Sequence, residues 1–574
     1  MFLGVAAGVA GVEKASRAGA PSHTAGPPPL KLAVIVSVDG LSWARLESYR
    51  PWFVAGLKRL LDEGLVETAC RYRHLTTETG PGHSSLATGA PPRITGIVAN
   101  RWFERGKGGG LRTVNSVDNV LPNGESLLGP GNLRVPTLAD RLVLSRPGSR
   151  TVSVSAKDRS AIFMAGRDRR HAVYWFDRKR GEFATSAAYE PPPAARSVVT
   201  AYNSSRGGAA IRDRFGARWP RLPLLAVPPT APGAQPVPGP ALFDFQIPDN
   251  GLGFDHDLTL HPDDYLGSLY ISPFIDDLVA DLTLAFLHDE RLALGRGDAP
   301  DLLTVGFSAQ DVVSHSYGNE SEENLDVLRR LDLHVGRLLE ALEGLGPRGT
   351  VALALSADHG FLVIPEAEKK RNPAFQGGRL VDSERTMPSF TARLNRLVAE
   401  ELCVDPATRP VFGVESWALA YNRPALPLRT LGGRCGPGGE PVTAASIDAV
   451  LPGVVGRFYK EELQEVLLVS QRDRWPADDP AVPFARNDFD AERSGDALLI
   501  PRPGVLMHWD PGRGSGHGSH YDYDTHVPLI LWGAGFPAER SDTDASPYDV
   551  APTLGHVLGV TLPDAVGRSL APKR

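Results

Sequence analysis

Five short apolar, β-branched runs, Leu32–Val38, Thr151–Ser155, Leu302–Phe307, Val351–Leu355 and Val527–Trp532, constrain the fold of this chain more than any other feature. Each is followed by a polar turn that often carries an acid or a glycine. Near-continuous apolar runs of this length suit central strands of a parallel sheet covered on both faces. Helical stretches lie between them. In Glu322 to Leu345, residues Leu325, Leu328, Leu331, Val335, Leu338 and Leu342 recur at spacings of three and four, the stripe of an amphipathic helix. Tyr548 to Leu558 repeats the pattern. Strands alternating with helices predict an α/β fold, a three-layer αβα sandwich on a mostly parallel sheet, with ligands at the carboxyl ends of the strands.

Two stretches break the rhythm, and both read as loop-rich insertions covering one sheet edge. Residues 203–250 are dense in Pro and Gly, and residues 361–500 are charged and Gly/Pro-punctuated with scattered strand signals. The main folded unit is then 30–574 with insertions near 203–250 and 361–500. Nothing repeats at a fixed period, which excludes solenoids and propellers. The 61 Lys and Arg against 67 Asp and Glu give a net charge of −6, which argues against a nucleic-acid partner. No run of about 20 apolar residues exists, so no transmembrane helix is predicted.

At the N-terminus, the apolar run Phe2–Val12, the small-x-small triplet Ala18-Gly19-Ala20 and a Pro-rich spacer resemble a signal peptide lacking its basic n-region. A plain tail over 1–29 fits as well. Cys403 and Cys435 could close a loop in an oxidising compartment, leaving Cys70 as a small core residue. Together these point to a periplasmic or secreted protein.

Chemistry is concentrated where Asp and His fall. Asp39 ends the first strand, Asp311 and His315 follow the third, Asp358 and His359 follow the fourth, and His517 lies in GSGHGSH before the last. An Asp after a strand is commonly a cap or turn residue. Acids and imidazoles at successive strand ends, however, converge on one rim. Three Asp and three His are the ligand inventory of two divalent ions, with zinc the natural choice. Between the first two strands, Thr79 precedes Gly80-Pro81-Gly82 and a short helix, His83 to Thr88. It is either an N-cap or a hydroxyl poised in the positive end of the helix dipole, where an alkoxide and a bound anion are favoured.

The segments VSVDG, TETGPGHSSLATG, QDVVSHSYG, SADHG and HGSHYDYDTHVPLILWG resemble, in type and spacing, the alkaline phosphatase superfamily. The likeness is closest to its single-chain branch with a threonine nucleophile, and more distant to the nucleotide pyrophosphatase/phosphodiesterases. It spans roughly residues 31–360 and 505–560. The resemblance implies one zinc at Asp39, Asp358 and His359 with Thr79 as fourth neighbour, and a second at Asp311, His315 and His517. It implies in-line attack by Thr79 and a phospho-threonine intermediate that water hydrolyses. Asn100, in GIVANRWF, resembles the family's donor to a non-bridging phosphoryl oxygen.

Lys157 and Arg159, in VSAKDRSAI, resemble the cationic pair of the monoesterase branch; their i, i+2 spacing puts both on one face of an extended segment. A solvated charged turn is the alternative. A monoester dianion presents three non-bridging oxygens to such donors, whereas a diester has two and a second organic group. The expected activity is therefore a two-zinc phosphomonoesterase acting on small-molecule phosphate esters as a monomer. A phosphodiesterase or nucleotide pyrophosphatase of the same fold and a metal-stabilised, non-catalytic binding protein are the alternatives. A sulfatase is disfavoured because the Cys/Ser-x-Pro-x-Arg signature is absent; phosphonate hydrolysis stays open. His83 reads as a structural partner of the Thr79 helix, His520 and His526 exceed the ligand count, and Trp102 reads as core.

Overall fold

The computed structural model describes residues 29–105, 111–120, 125–223, 255–259, 264–380, 387–432, 437–507 and 514–572. Nine strands form one sheet: β1 (Leu32–Val38), β2 (Leu65–Glu67), β3 (Thr151–Ser155), β4 (Ala172–Asp177), β5 (Glu182–Ala184), β6 (Asp301–Phe307), β7 (Val351–Ser356), β8 (Leu529–Gly533) and β9 (Glu539–Ser541). Their order is β9-β2-β8-β7-β1-β6-β3-β4-β5. The central run β7-β1-β6-β3-β4 is parallel throughout. Every residue of β1, β6 and β7 is buried, as near-continuous apolar runs require when helices cover both faces.

The helices that matter to function are α1 (Thr79–Thr88), α2 (Asp158–Ala165), α3 (Phe274–His288), α4 (Ala309–Tyr317), α5 (Glu322–Glu343) and α6 (Val550–Leu558). One layer packs α1 against α2 and α6; the other packs α5 against α3 and α4. The αβα sandwich is as the sequence predicts. β8 runs antiparallel to β7, with Leu529 opposite Ser356. The chain approaching β8 therefore crosses the carboxyl rim of the parallel strands, and this brings a histidine from residue 517 to acids that follow β1, β6 and β7.

The 361–500 stretch is more regular than its punctuation suggests. It holds a four-stranded sheet of Val411–Glu415, Ala418–Tyr421, Ala497–Pro501 and Leu463–Leu468. Helices Met387–Leu402 and Ala444–Phe458 pack with it around a core of their own. It meets the rest of the chain at the rim rather than at an edge strand: Asp488 accepts from Thr76 N at 2.8 Å, Arg101 pairs with Glu415 at 2.8 Å, and Leu362 N donates to Gly516 O at 3.0 Å. Of the other insertion, residues 224–250 lie outside the described residues, as do the apolar run and small-residue triplet of the N-terminus. Cys70 is a free, buried thiol. Cys403 is disulfide-bonded, and Cys435 lies outside the described residues. Among the described residues, no helix is long and apolar enough to cross a membrane.

Candidate active site

The six acids and imidazoles gather at the carboxyl rim as two triads. Asp39, Asp358 and His359 form one, and Asp311, His315 and His517 the other; within each, one ligand atom per residue lies within 4.8 Å of the others. His359 Nε2 is 3.5 Å from Asp39 Oδ1 and 3.4 Å from Asp358 Oδ2. The Nε2 atoms of His315 and His517 stand 3.3 and 3.4 Å from Asp311 Oδ1. The triads adjoin, for the rings of His359 and His517 stack at 3.6 Å.

Backbone carbonyls orient the imidazoles. Nδ1 of His315 lies 3.0 Å from Ser515 O, that of His359 2.9 Å from Gly360 O, and that of His517 2.8 Å from Thr77 O. A carbonyl only accepts, so each Nδ1 carries the proton and Nε2 turns a lone pair toward the carboxylates. Asp358 is held likewise: its Oδ1 accepts from Gly40 N and His359 N, both at 3.1 Å. Gly40, at φ +75°, makes the tight turn after Asp39, and a Cβ there would stand 3.3 Å from Asp311 Cβ.

This donor set fits a pair of divalent ions. Asp39 Oδ1, Asp311 Oδ1 and His359 Nε2 are buried and make no hydrogen bond among the described residues. Convergent unpaired lone pairs in a buried site are costly unless a cation receives them. The electrostatics agree. Burial, then the Asp358 carboxylate, pushes Asp39 well above the usual carboxylate range. Burial acts on Asp311 in the same direction, but Lys157 and His315 outweigh it and hold that carboxyl well below the range. Burial pushes His359 down to about 3, so its imidazole is a neutral ligand near pH 7.

Lys157 stands between the triads. Its Nζ lies 2.5 Å from Asp311 Oδ2 and 2.8 Å from Asp39 Oδ2. Burial lowers its pKa, yet the Asp311 and Asp39 carboxylates outweigh that and hold the ammonium above the usual lysine range. Arg159 departs from expectation. Lys157 is extended (φ −92°, ψ 138°) but is the N-cap of α2, so the segment turns helical at Asp158 and the two side chains do not share an extended face. The guanidinium of Arg159 meets Asp158 at 3.6 Å and is about a quarter exposed (26%).

Thr79 opens α1 as its first residue; Glu78 takes the N-cap place and neither side chain caps the helix. The N-cap alternative therefore fails. The helix also starts four residues earlier than the sequence suggests, with Gly80-Pro81-Gly82 inside its first turn. Proline is tolerated there because first-turn amides have no helical acceptor. Thr79 is buried, with 4% exposure, and is bracketed by the triads. Two residues earlier, Thr77 O holds His517; four residues later, His83 Nδ1 lies 3.1 Å from Asp358 Oδ2 and 2.9 Å from Thr79 O. Asn100 Oδ1 accepts from Gly80 N at 2.8 Å, and Asn100 N donates to Glu78 Oε2 at 2.7 Å. The NH2 end of the Asn100 amide is thereby its free end.

Gly82 lets α1 lie against the first triad. A Cβ at this position would be 2.1 Å from Asp358 O and 2.6 Å from Asp358 Cβ. Gly82→Ala must push the helix tip off Asp358, and a displacement of about 1 Å from working geometry can cost about a hundredfold in rate. The expected result is a folded protein with kcat down by about that factor, checked by steady-state kinetics beside a thermal melt.

Three further buried acids, to which the sequence analysis gave no role, brace this site. Asp276 accepts from Ser308 N and Ala309 N, Asp524 from Ser519 N and Oγ, and Asp488 from Thr76 N. Burial, as the largest cause, pushes Asp276 and Asp524 up to about 7 and Asp488 up to about 8. Asp524 had a usable signal, the HYDYD string beside His517; the other two lie far from any motif. His526 binds Thr68 O at 2.8 Å, away from the triads, and Trp102 is core, 1% exposed beneath the Arg493 guanidinium.

A parallel α/β sheet presenting two Asp/His triads beside a helix-tip threonine defines a metal-dependent hydrolase of phosphoric esters. Residues 33–520 match the profile of the type I phosphodiesterase / nucleotide pyrophosphatase family, and the chain belongs to that family, within the alkaline phosphatase superfamily. It is 29% identical over 544 residues to alkaline phosphatase PhoK of a Sphingomonas species, covering 93% of this chain and 89% of that one. With alkaline phosphatase PafA of Elizabethkingia meningoseptica it shares 26% identity over 569 residues, 96% of each chain. A crystal structure of alkaline phosphatase PafA has the same fold, with a TM-score of 0.77 at 24% identity over 95% of this chain and 98% of that one.

Proposed function

We propose that this enzyme hydrolyses phosphate monoesters through a phospho-threonine at Thr79, with two zinc ions held by Asp39, Asp358 and His359 and by Asp311, His315 and His517. The observation that carries the monoester preference is the Lys157 ammonium lodged between the triads, 2.5 and 2.8 Å from a carboxylate of each. Zinc at the two triads supplies Lewis-acid charge for an incoming and an outgoing oxygen. The curated relatives, named as alkaline phosphatases, support the same reading.

The chain's own groups do the rest. Thr79 Oγ forms its bond to phosphorus as the ester oxygen departs, and water later cleaves the Oγ–P bond. The positive end of the α1 dipole faces that charge at Thr79, since Gly80 N already bonds Asn100 Oδ1 and Pro81 has no N–H. The free NH2 of Asn100 donates to one non-bridging oxygen, and the Lys157 ammonium compensates the charge of the third oxygen that only a monoester has. Arg159 completes this role if its guanidinium, which makes no tighter contact than 3.6 Å to its own neighbour Asp158, turns toward the phosphoryl group. The disulfide at Cys403 supports an exported enzyme.

The test is the rate ratio for p-nitrophenyl phosphate against bis-p-nitrophenyl phosphate. In the Lys157→Ala/Arg159→Ala double variant, kcat/KM for the monoester should fall by about 10²–10³, the cost of losing transition-state donors. The diester should lose about tenfold or less. Equal losses on both substrates would refute the assigned role and favour a diesterase.

A further inference from the structure

The helix carrying Asp311 and His315 begins without a cap of its own. Ser308 occupies the N-cap place of α4, but its side chain makes no capping hydrogen bond, and its buried Oγ makes none at all among the described residues. The amides at this end donate elsewhere: Ser308 N and Ala309 N bond to Asp276 Oδ1 at 2.8 and 3.1 Å. Asp276 belongs to the first turn of α3 and is 2% exposed. One carboxyl oxygen from another helix thus does the work of an N-cap at the positive end of the α4 dipole.

Asp311 is the third residue of α4 and His315 the seventh. Whatever fixes the first turn of this helix fixes both ligand atoms. The other triad is built differently: Asp39 follows β1 and Asp358 and His359 follow β7, on strands hydrogen-bonded to each other, with Asp358 pinned by Gly40 N and His359 N. Of these, only Gly40 also touches α4, where Gln310 Nε2 donates to its carbonyl at 3.2 Å; the strand positions of Asp39, Asp358 and His359 and the amides on Asp358 do not depend on that helix.

We propose that Asp276 is a positioning residue for one cation only: by clamping the first turn of α4 it sets the Asp311 and His315 ligand atoms, leaving the Asp39/Asp358/His359 site to stand without it. This rests on the two-cation reading given above, and the wild-type measurement tests that reading separately.

The experiment is zinc titration of the full chain against a competing chelator, with X-ray absorption to count imidazoles on the retained metal. Wild type should hold two ions; one ion or none in wild type would sink the two-cation reading itself. In Asp276→Ala, one ion should bind about 10- to 100-fold more weakly, the usual cost of losing a partner behind the ligands. The tightly held ion should then show a single imidazole, His359. Asp276→Asn keeps a carbonyl oxygen for both amides and should bind both ions within about threefold of wild type. Two ions of unchanged affinity in Asp276→Ala, equal weakening of both, or an Asp276→Asn protein as impaired as Asp276→Ala would each overturn the proposal. If Asp276→Ala does not fold, Asp276→Glu, which moves the carboxylate by one methylene, carries the same one-ion expectation.

Discussion

Thr79→Ala should lower phosphate monoester turnover by about four orders of magnitude or more while the protein keeps both cations. Removing a covalent nucleophile from an assembled site has effects of that size, because what survives is only the rate from substrate binding and charge stabilisation. Cation content is the decisive control. Four of the six proposed ligands are held by carbonyls of Gly360, Ser515 and Thr77 and by amides of Gly40 and His359, and Asp39 and Asp311 pair with Lys157, none of which uses the Thr79 hydroxyl. Thr79→Ser keeps a hydroxyl at the helix tip and should retain most activity. Denatured wild-type enzyme quenched during turnover should carry a phosphoryl group on the peptide containing Thr79, and Thr79→Ala should carry none. A zinc-loaded Thr79→Ala protein with more than about a tenth of wild-type turnover would sink the covalent mechanism, and absence of any wild-type activity would restore the binding-protein alternative.

The central sheet was legible because its strands are buried on both faces and so read as unbroken apolar runs. Leu32–Val38 and Thr151–Ser155 are strands with those same bounds. The ligands were legible for a related reason: in a parallel sheet, the residues after each strand all reach one rim, so position along the chain stands in for position in space. Packing overrode local signals elsewhere. Gly80-Pro81-Gly82 looks like a loop, yet it is the first turn of α1, and Gly82 is there because Asp358 leaves no room for a Cβ. The helix Ala444–Phe458 continues through Pro452, supported by its buried stripe of Ile447, Leu451, Val454 and Val455 against the second sheet. Register shifts at Val411/Gly413 and Leu463/Glu465 break the alternation that would have revealed that sheet. Asp276 and Asp488 were invisible for a different reason. A carboxylate that caps a distant backbone leaves no spacing pattern, since its partner is 32 residues away in one case and 412 in the other.

Stripping the cations should abolish activity and lower the melting temperature, by an amount that grows with pH. Without cations, three buried carboxylates share one ammonium, Lys157, and Asp39 is the member that burial and Asp358 push above its ordinary range. A carboxyl raised in the fold stabilises the fold below its unfolded pKa, and that contribution is lost as pH climbs through the folded value. The Asp39 contribution is therefore present in acid and lost toward neutrality, while Asp311, held below its ordinary range, and His359, pushed down to about 3, act in the opposite sense. Cations reverse the Asp39 contribution, because they bind deprotonated ligands and expel the proton from Asp39. Ligation adds stability as the logarithm of ion concentration over Kd, about 4 kcal/mol at a thousandfold excess. The gap in melting temperature between zinc-loaded and chelator-treated protein should thus widen from about pH 5 to about pH 8. Asp39→Asn, which removes the titrating carboxyl, should flatten that dependence. Differential scanning calorimetry at several pH values, with zinc added back to restore turnover, is the measurement. A gap that is constant or that narrows as pH rises would mean that Asp39 is not where the expelled proton resides.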